Sequence, residues 1–252
     1  FPYTTLFRSD HKIVKAWMND GIIIQKLLDL FDSENVTERE TLRMVLHLIY
    51  LKLISVRKTV RKCYTDLFLR LIHEEYKFNG VSEILDIVAS IISGFSVPIK
   101  DEHTQFFNTV IMPLHKVQTC QLYHAELSKC TLLFVQKKLE LGVTVIEKLA
   151  RYWPIANSTK QIKFLEEIIA VVMIVPEDLL QSQMKTIFYK LSQAVASPHF
   201  KVCDYGLSCF ERPQIVALIK SHIDIVFPMI VPVLERESRY YWQPTLRASI
   251  NG

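Results

Sequence analysis

Apolar residues recur at steps of three and four along almost the whole of this 252-residue chain, and that spacing gathers them on one face of an α-helix. The stretch Val81–Phe95 shows it best: Val81, Ile84, Leu85, Val88, Ile91, Ile92 and Phe95 share a side. Asn79-Gly80 is expected to end the preceding helix, and Gly94 with Pro98 to end this one. On a helix over Thr41–Ile54, Leu42, Val45, Leu46, Ile49 and Leu53 repeat the pattern, and Arg57, Arg61, Tyr64, Phe68 and Leu71 do so on the next helix. No run alternates strictly between hairpin dipeptides, so no sheet is expected. Only 6 glycines occur, well below average usage, which argues against a hairpin-rich β protein and a glycine-loop nucleotide site. The fold class is therefore all-α.

The prolines punctuate these helices rather than break them. Pro113, Pro154 and Pro198 recur at intervals of 41 and 44 residues, and Asp101, Ser158 and Ser197 read as N-caps. Two helices per ~40–47 residues is the period of HEAT-type repeats. Each helix pair presents an apolar face too large to bury alone, so neighbours must stack. The expected architecture is a HEAT-like helical-repeat solenoid of about five to six pairs. No Pro/Gly/Ser-rich linker divides it, so 11–252 is read as one array, truncated at both ends. Residues Phe1–Asp10 lack the periodicity and are read as an artefact or a disordered lead-in, while Ser249-Ile250-Asn251-Gly252 falls where a helix is in progress.

Composition narrows the function. Hydrophobic residues make up 50% and charged residues 22% of the chain, which argues against disorder. The formal charge of +4 is too small for a groove that tracks phosphates, so no nucleic-acid partner is expected, and the basic run Arg57, Lys58, Arg61, Lys62 reads as a solvated face. Apolar stretches such as Ile168–Pro176 fall far short of the ~20 residues of a membrane span. Five cysteines, an odd number, make no disulfide framework. Free buried thiols in a reducing compartment, cytoplasmic and/or nuclear, are expected. The sequons Asn35-Val36-Thr37 and Asn157-Ser158-Thr159 carry no meaning in such a compartment.

No catalytic motif is present, and the adjacent carboxylates Glu74-Glu75 and Glu166-Glu167 diverge on a helix rather than converge. No enzyme activity and no cofactor are expected. His115, Cys120, His124 and Cys130 cluster, but their spacings of 5, 4 and 6 match no standard zinc pattern. Only Cys120 and His124 share a helix face, so buried thiols and interfacial histidines are expected, and no metal.

The region from Arg43 to His103 is the most informative. Beside the core stripe of its helix, Arg43, His47, Tyr50 and Ile54 form a second stripe, at steps of four, three and four. Arg57 and Arg61 lie one turn apart on the next helix, and Ile87, with Asp86 nearby, is expected at the rim of the apolar face that carries Ile91. Equivalent faces of successive repeats line one surface, so a cationic and aromatic rim can flank an apolar shelf, as a short-peptide groove requires. Periodicity alone favours an ordinary inter-helix seam with snorkelling arginines, since such seams are common.

At these residues the chain resembles the B-prime family of regulatory subunits of protein phosphatase 2A. The matching stretches are Lys26-Leu-Leu-Asp-Leu-Phe-Asp-Ser-Glu34, Leu46-His-Leu-Ile-Tyr50, Gly94-Phe-Ser-Val-Pro-Ile-Lys-Asp-Glu-His103, Pro113-Leu-His-Lys116, Tyr123-His124, Tyr152-Trp-Pro154 and Ser197-Pro-His-Phe200. They run in order from about Asp20 to about Leu246. The resemblance implies a HEAT-like array without catalytic activity. Such an array joins a phosphatase scaffold subunit and a catalytic subunit, and recruits substrates through short Leu-x-x-Ile-x-Glu motifs. The positions it marks are Arg43, His47, Tyr50, Ile54, Arg57, Arg61, Asp86, Ile87, Ile91, Lys100 and His103. By that analogy Tyr50, Ile54, Arg57, Ile87, Ile91 and His103 wall the Leu and Ile pockets. Asp86 holds Arg57, and His47, with Arg43 nearby, meets the peptide glutamate.

Four departures stand out. Leu48 replaces the arginine that follows the histidine in the family pattern, losing a charge-assisted bond typically worth ~1.5–3 kcal/mol. Asp86 is one methylene shorter than the family's glutamate. Phe164–Val175 is more apolar than its acidic equivalent, and Met44, Leu48 and Leu51 make one side of their helix unusually apolar. The alternative reading is a HEAT-type interaction module with a different partner, or one without peptide selectivity.

Overall fold

The computed structural model describes residues 21–74 and 77–251, so the expected lead-in at 1–10 lies outside the described residues. Helices account for nearly all the regular structure, and no strand occurs among the described residues. In chain order they are α1 (Ile22–Asp29), α2 (Val36–Lys52), α3 (Arg57–His73), α4 (Val81–Ser93), α5 (Asp101–Phe106), α6 (Met112–Leu114), α7 (His124–Lys137) and α8 (Leu141–Arg151). Then follow α9 (Ser158–Val172), α10 (Glu177–Leu180), α11 (Met184–Val195), α12 (Phe200–Phe210), α13 (Pro213–Ser221), α14 (Ile223–Tyr240) and α15 (Pro244–Asn251). The chain forms two compact units. One comprises residues 21–95 and 105–130, the other residues 96–104 and 131–251.

In the first unit α1 packs on α3 and α2 on α4, so each helix meets the one after next, as stacked hairpins require. Side-chain bonds join positions about one repeat apart: Arg39 to Glu83, Arg43 to Asp86, Asp86 to Lys129, and the Cys130 thiol to the Leu85 carbonyl. The period read from the prolines is thus the sequence distance over which this stack makes its tertiary bonds. Helix α4 is buried nearly all round, since Ile87, Ala89 and Glu83 are covered as well as the predicted stripe.

Local chemistry sets the helix ends. Asn35 caps α2 by accepting from the Thr37 N–H at 2.9 Å, so this helix starts earlier than the Thr41 start read from periodicity. Residues Asn79-Gly80 do not end α3, which stops at His73. They instead brace the start of α4. The Asn79 N–H donates to Asp32 Oδ1 and its side-chain amide to the Asp32 carbonyl, both at 2.9 Å. Gly80 is the cap residue, and a Cβ there would meet the Cβ and carbonyl oxygen of Phe31 at 2.5 Å. After α5 the helix passes through a π-turn, Phe107–Ile111, just before Pro113. Proline has no N–H and its ring crowds the carbonyl four residues back, and a π-turn relieves both.

In the second unit α11 is central, packing on α8, α9, α12 and α14. The apolar run Phe164–Val175 is explained here: Phe164, Leu165, Ile168, Ile169, Val171, Val172 and Val175 are all buried. The cap of α9 is Asn157, which accepts from the Lys160 N–H at 2.9 Å, rather than Ser158. The asparagines of both sequons are thus helix caps. His199, not Ser197, occupies the cap position of α12, with the Ser197 hydroxyl accepting from the His199 N–H. Asp101 is the first residue of α5. Two prolines break the expectation of punctuation, because Pro228 and Pro232 lie inside α14. Both are solvent-facing, while Val226 and Ile230 of the same helix are buried. The last helix is seated by a cluster of Cys203, Tyr241 and Leu246, and the Tyr241 hydroxyl donates to the Ser197 carbonyl at 3.0 Å.

Two stability measurements test these seams. Gly80→Ala should cost about 1–3 kcal/mol in a denaturant titration, because Phe31 must move to admit a methyl group. Arg39→Ala should cost about 3 kcal/mol or more. It strands the Glu83 carboxylate, which is almost fully buried and held at 2.8 Å, and it also releases the Ser33 carbonyl.

Candidate functional site

The residues marked in sequence divide between the two units. Arg43, His47, Tyr50, Ile54, Arg57, Arg61, Asp86, Ile87 and Ile91 belong to the first, and Lys100 and His103 to the second. In the second unit Lys100 is exposed just ahead of α5, and its carbonyl accepts the His103 N–H at 3.0 Å. The His103 ring nitrogen Nε2 lies 3.7 Å from Glu102 Oε1.

In the first unit the site is built where α2 ends and α3 begins. Tyr50 sits on the last full turn of α2 and is buried. A short 3-10 turn, Ile54–Val56, follows and swings the chain into α3. Ile54 is on this turn rather than on the α2 stripe, and it is 74% exposed. Arg57, the first residue of α3, reaches back to α2: its Nε donates to the Tyr50 carbonyl at 2.9 Å and its Nη2 to the Leu51 carbonyl at 3.2 Å. Those carbonyls belong to the last turn of α2, where helix hydrogen bonds run out and a cation is favoured. The same guanidinium lies over the Tyr50 ring, 5.2 Å from its centroid, a cation–π arrangement. Arg61, one turn along α3, donates from Nη1 to the Tyr50 hydroxyl at 3.1 Å. Tyr50 is therefore clamped at its carbonyl, its face and its hydroxyl by two arginines.

The expected Arg57–Asp86 pair is replaced by a different one. Asp86 accepts from Arg43 Nη1 at 3.0 Å through Oδ2 and from Lys129 Nζ at 2.9 Å through Oδ1. Arg43 also binds the Glu40 carboxylate at 2.9 Å. The aspartate side chain is satisfied by repeat neighbours on both sides, and Arg57 by backbone. Ile87 is only 2% exposed, so it belongs to the core of α4 instead of a rim, and Ile91 is buried beside it. His47 is half-buried on α2, with no hydrogen bond among the described residues. On the neighbouring row of that helix Met44, Leu48 and Leu51 are all exposed.

Sequence reasoning missed Lys129 and the backbone role of Arg57. The first carried a signal, since Lys129 follows Asp86 by the same 43 residues that separate Asp86 from Arg43. The second carried none.

The residues weighed as metal ligands are buried in the first unit. Cys120 is on a 3-10 turn, Gln118–Leu122, and His124 opens α7, so the two do not share a helix face. The Cys130 thiol donates to the Leu85 carbonyl at 3.4 Å, and His115 Nδ1 lies 3.1 Å from the Met112 carbonyl.

Stacked helical hairpins, bonded one repeat apart and carrying a buried tyrosine clamped by two arginines, define an all-α helical-repeat protein. Comparison with known proteins agrees. The family model described as protein phosphatase 2A regulatory B subunit (B56 family) matches residues 2–251. The chain is 38% identical over 231 residues to the serine/threonine-protein phosphatase 2A regulatory subunit pptr-1 of Caenorhabditis elegans, covering 92% of this chain and 43% of the relative. It is 39% identical to the 56 kDa regulatory subunit delta isoform of Saccharomyces cerevisiae, with 89% and 30% covered. It is 35% identical to the human delta isoform, with 94% and 39% covered. The chain belongs to the B56 family of protein phosphatase 2A regulatory subunits, and it spans less than half the length of these curated relatives. They are regulatory subunits by name, not catalytic ones.

Replacing Tyr50 by Phe leaves the Arg57 contacts in place and removes the Arg61 acceptor. A thermal melt should show a loss of about 1 kcal/mol.

Proposed function

We propose that this chain serves as the non-catalytic regulatory subunit of a protein phosphatase 2A holoenzyme. It binds the scaffold and catalytic subunits and recruits substrates by short Leu-x-x-Ile-x-Glu-like peptides. Family membership supports the first part. The second is carried by one observation: half-buried Arg57 and Arg61 hold the buried Tyr50 in place beside the exposed Ile54. A groove prepared in this way loses little side-chain entropy when a peptide docks, which is what affinity for a short motif requires. The basic run that contains these arginines supports no nucleic-acid role, because Arg57 and Arg61 are spent on Tyr50 and Leu51. Among the described residues no single helix is long and apolar enough to cross a membrane. The five cysteines are buried free thiols, in keeping with a cytoplasmic and/or nuclear setting.

The second reading, a HEAT-type module with a different partner or without peptide selectivity, is favoured by Leu48, exposed where a cation is expected, and by Arg43, already paired with Asp86 and Glu40. Titration with a Leu-x-x-Ile-x-Glu peptide separates the two. Binding to the wild-type chain should be lost in Arg57→Ala and in Ile54→Asp. The second variant alters an exposed side chain and leaves the α2 carbonyls bonded. Unchanged binding in Ile54→Asp would remove the groove assignment. Capture from a cell lysate should recover the scaffold and phosphatase chains together, and recovery of neither counts against the holoenzyme role.

A further inference from the structure

The second unit covers a cation without giving it an acid. Lys190 on α11 is only 8% exposed, and a buried ammonium ordinarily has a carboxylate beside it. Here its Nζ donates to the Gln193 side-chain oxygen at 3.0 Å and lies over two rings, 4.9 Å from the centroid of Trp153 and 5.6 Å from that of Tyr189. Among the described residues no carboxylate pairs with it. Burial pushes its pKa below that of an ordinary lysine, with no acid acting against the shift. The only charged residues of α11 are Lys185 and Lys190, and the loop 152–157 that carries Trp153 has none.

The groups around the ammonium are themselves fixed. The Gln193 amide donates to the Tyr189 hydroxyl at 3.1 Å. On the loop, Gln161 Nε2 donates to the carbonyls of Pro154 and Ile155 at 2.7 and 3.2 Å, and so holds Ile155 in place although it is 93% exposed. The stem of Lys190 is buried while its head ends among exposed Tyr189 and Gln193, as long cationic side chains allow. Aromatic faces and one amide oxygen compensate an ammonium only in part, and two of its three N–H groups have no acceptor among these partners. A carboxylate arriving from outside meets an unpaired charge in a poorly hydrated setting, where a charge-assisted bond is strong. One ammonium balances the single charge of a carboxylate but only part of that of a phosphate.

We infer that Trp153, Lys190 and Tyr189 form a protein-docking site in the second unit, for a partner segment in which an aspartate or glutamate stands beside an apolar residue. The carboxylate binds the Lys190 ammonium between the two rings, and the apolar side chain packs on Ile155. The site shares no residue with the peptide groove of the first unit and does not depend on it.

The probes are labelled peptides Gly-Ser-Ile-Glu-Ser-Gly and Gly-Ser-Glu-Ile-Ser-Gly. Each has counterparts with glutamine or phosphoserine for the glutamate, or serine for the isoleucine. They are titrated by fluorescence anisotropy against the full chain and its Lys190→Met and Ile155→Ser variants, with the Lys190 ammonium followed by NMR. The better-bound order should bind wild type about 5-fold or more tightly than its glutamine counterpart and should shift the Lys190 signal. Lys190→Met keeps the buried stem, so its thermal melt should match or exceed that of wild type, and the preference for glutamate should vanish. Ile155→Ser changes an exposed side chain. It should weaken the isoleucine peptides while leaving their serine counterparts unchanged. Equal binding of the glutamate and glutamine peptides, a preference that survives Lys190→Met, or no binding of any peptide to wild type overturns the inference. Tighter binding of the phosphoserine peptide overturns the choice of a carboxylate.

Discussion

One carboxylate sets the frame in which the first unit is assembled. Asp86 on α4 takes Arg43 from α2 with one oxygen and Lys129 from α7 with the other, each 43 residues away in sequence. Three successive repeats are thereby tied at equivalent positions by alternating charge, cation to anion to cation. Each pair is partly exposed, and a lone pair of this kind contributes little to stability. The value of the row is geometric. It fixes how far α2 and α4 slide along one another, and so where Arg43 and His47 stand relative to Ile91. The part-buried Arg39–Glu83 bond, 44 residues apart, holds the same seam one turn earlier on both helices.

The arginine clamp follows from that frame. A helix that ends at Lys52 leaves carbonyls without partners, and in this chain the first residue of the next helix supplies the missing donors. The turn between α2 and α3 is closed by a side chain that also stacks on the tyrosine it caps. Under the proposed function, structure and recognition share Arg57. A residue that finishes a helix end can be rigid without other support, and rigidity is what a docking surface for a short extended segment needs.

Much of the fold was legible because helical repeats write themselves in apolar periodicity. The stripe of α4, the stop at Gly94 and the all-α class follow from spacing alone. Helix starts were harder. Asn35 and Asn157 outcompete the neighbouring serines and threonines as caps, a choice made by local backbone geometry that the sequence pattern does not resolve. The pairings among the candidate site residues were not legible. Resemblance located Arg57 and Asp86 together, whereas the structure gives Asp86 to Arg43 and Lys129 and hands Arg57 to backbone. The cause is competition, since a carboxylate flanked by two repeat neighbours is satisfied before a third cation reaches it. Ile87 was misplaced for a simpler reason: α4 is covered on nearly every side, so it has no rim for an isoleucine to occupy.

The paired prolines of α14 have a consequence of their own. Pro228 and Pro232 remove two rungs of the backbone ladder, those that would end on the carbonyls of residues 224 and 228. Water can take those acceptors because the proline face is outward. Continuity of the helix then comes from the opposite side, where Val226 and Ile230 are buried and the helix lies against α11. This segment is thus helical by contact more than by inclination. Loosening its neighbour would be felt first as amide exchange along α14, before any change elsewhere in the unit.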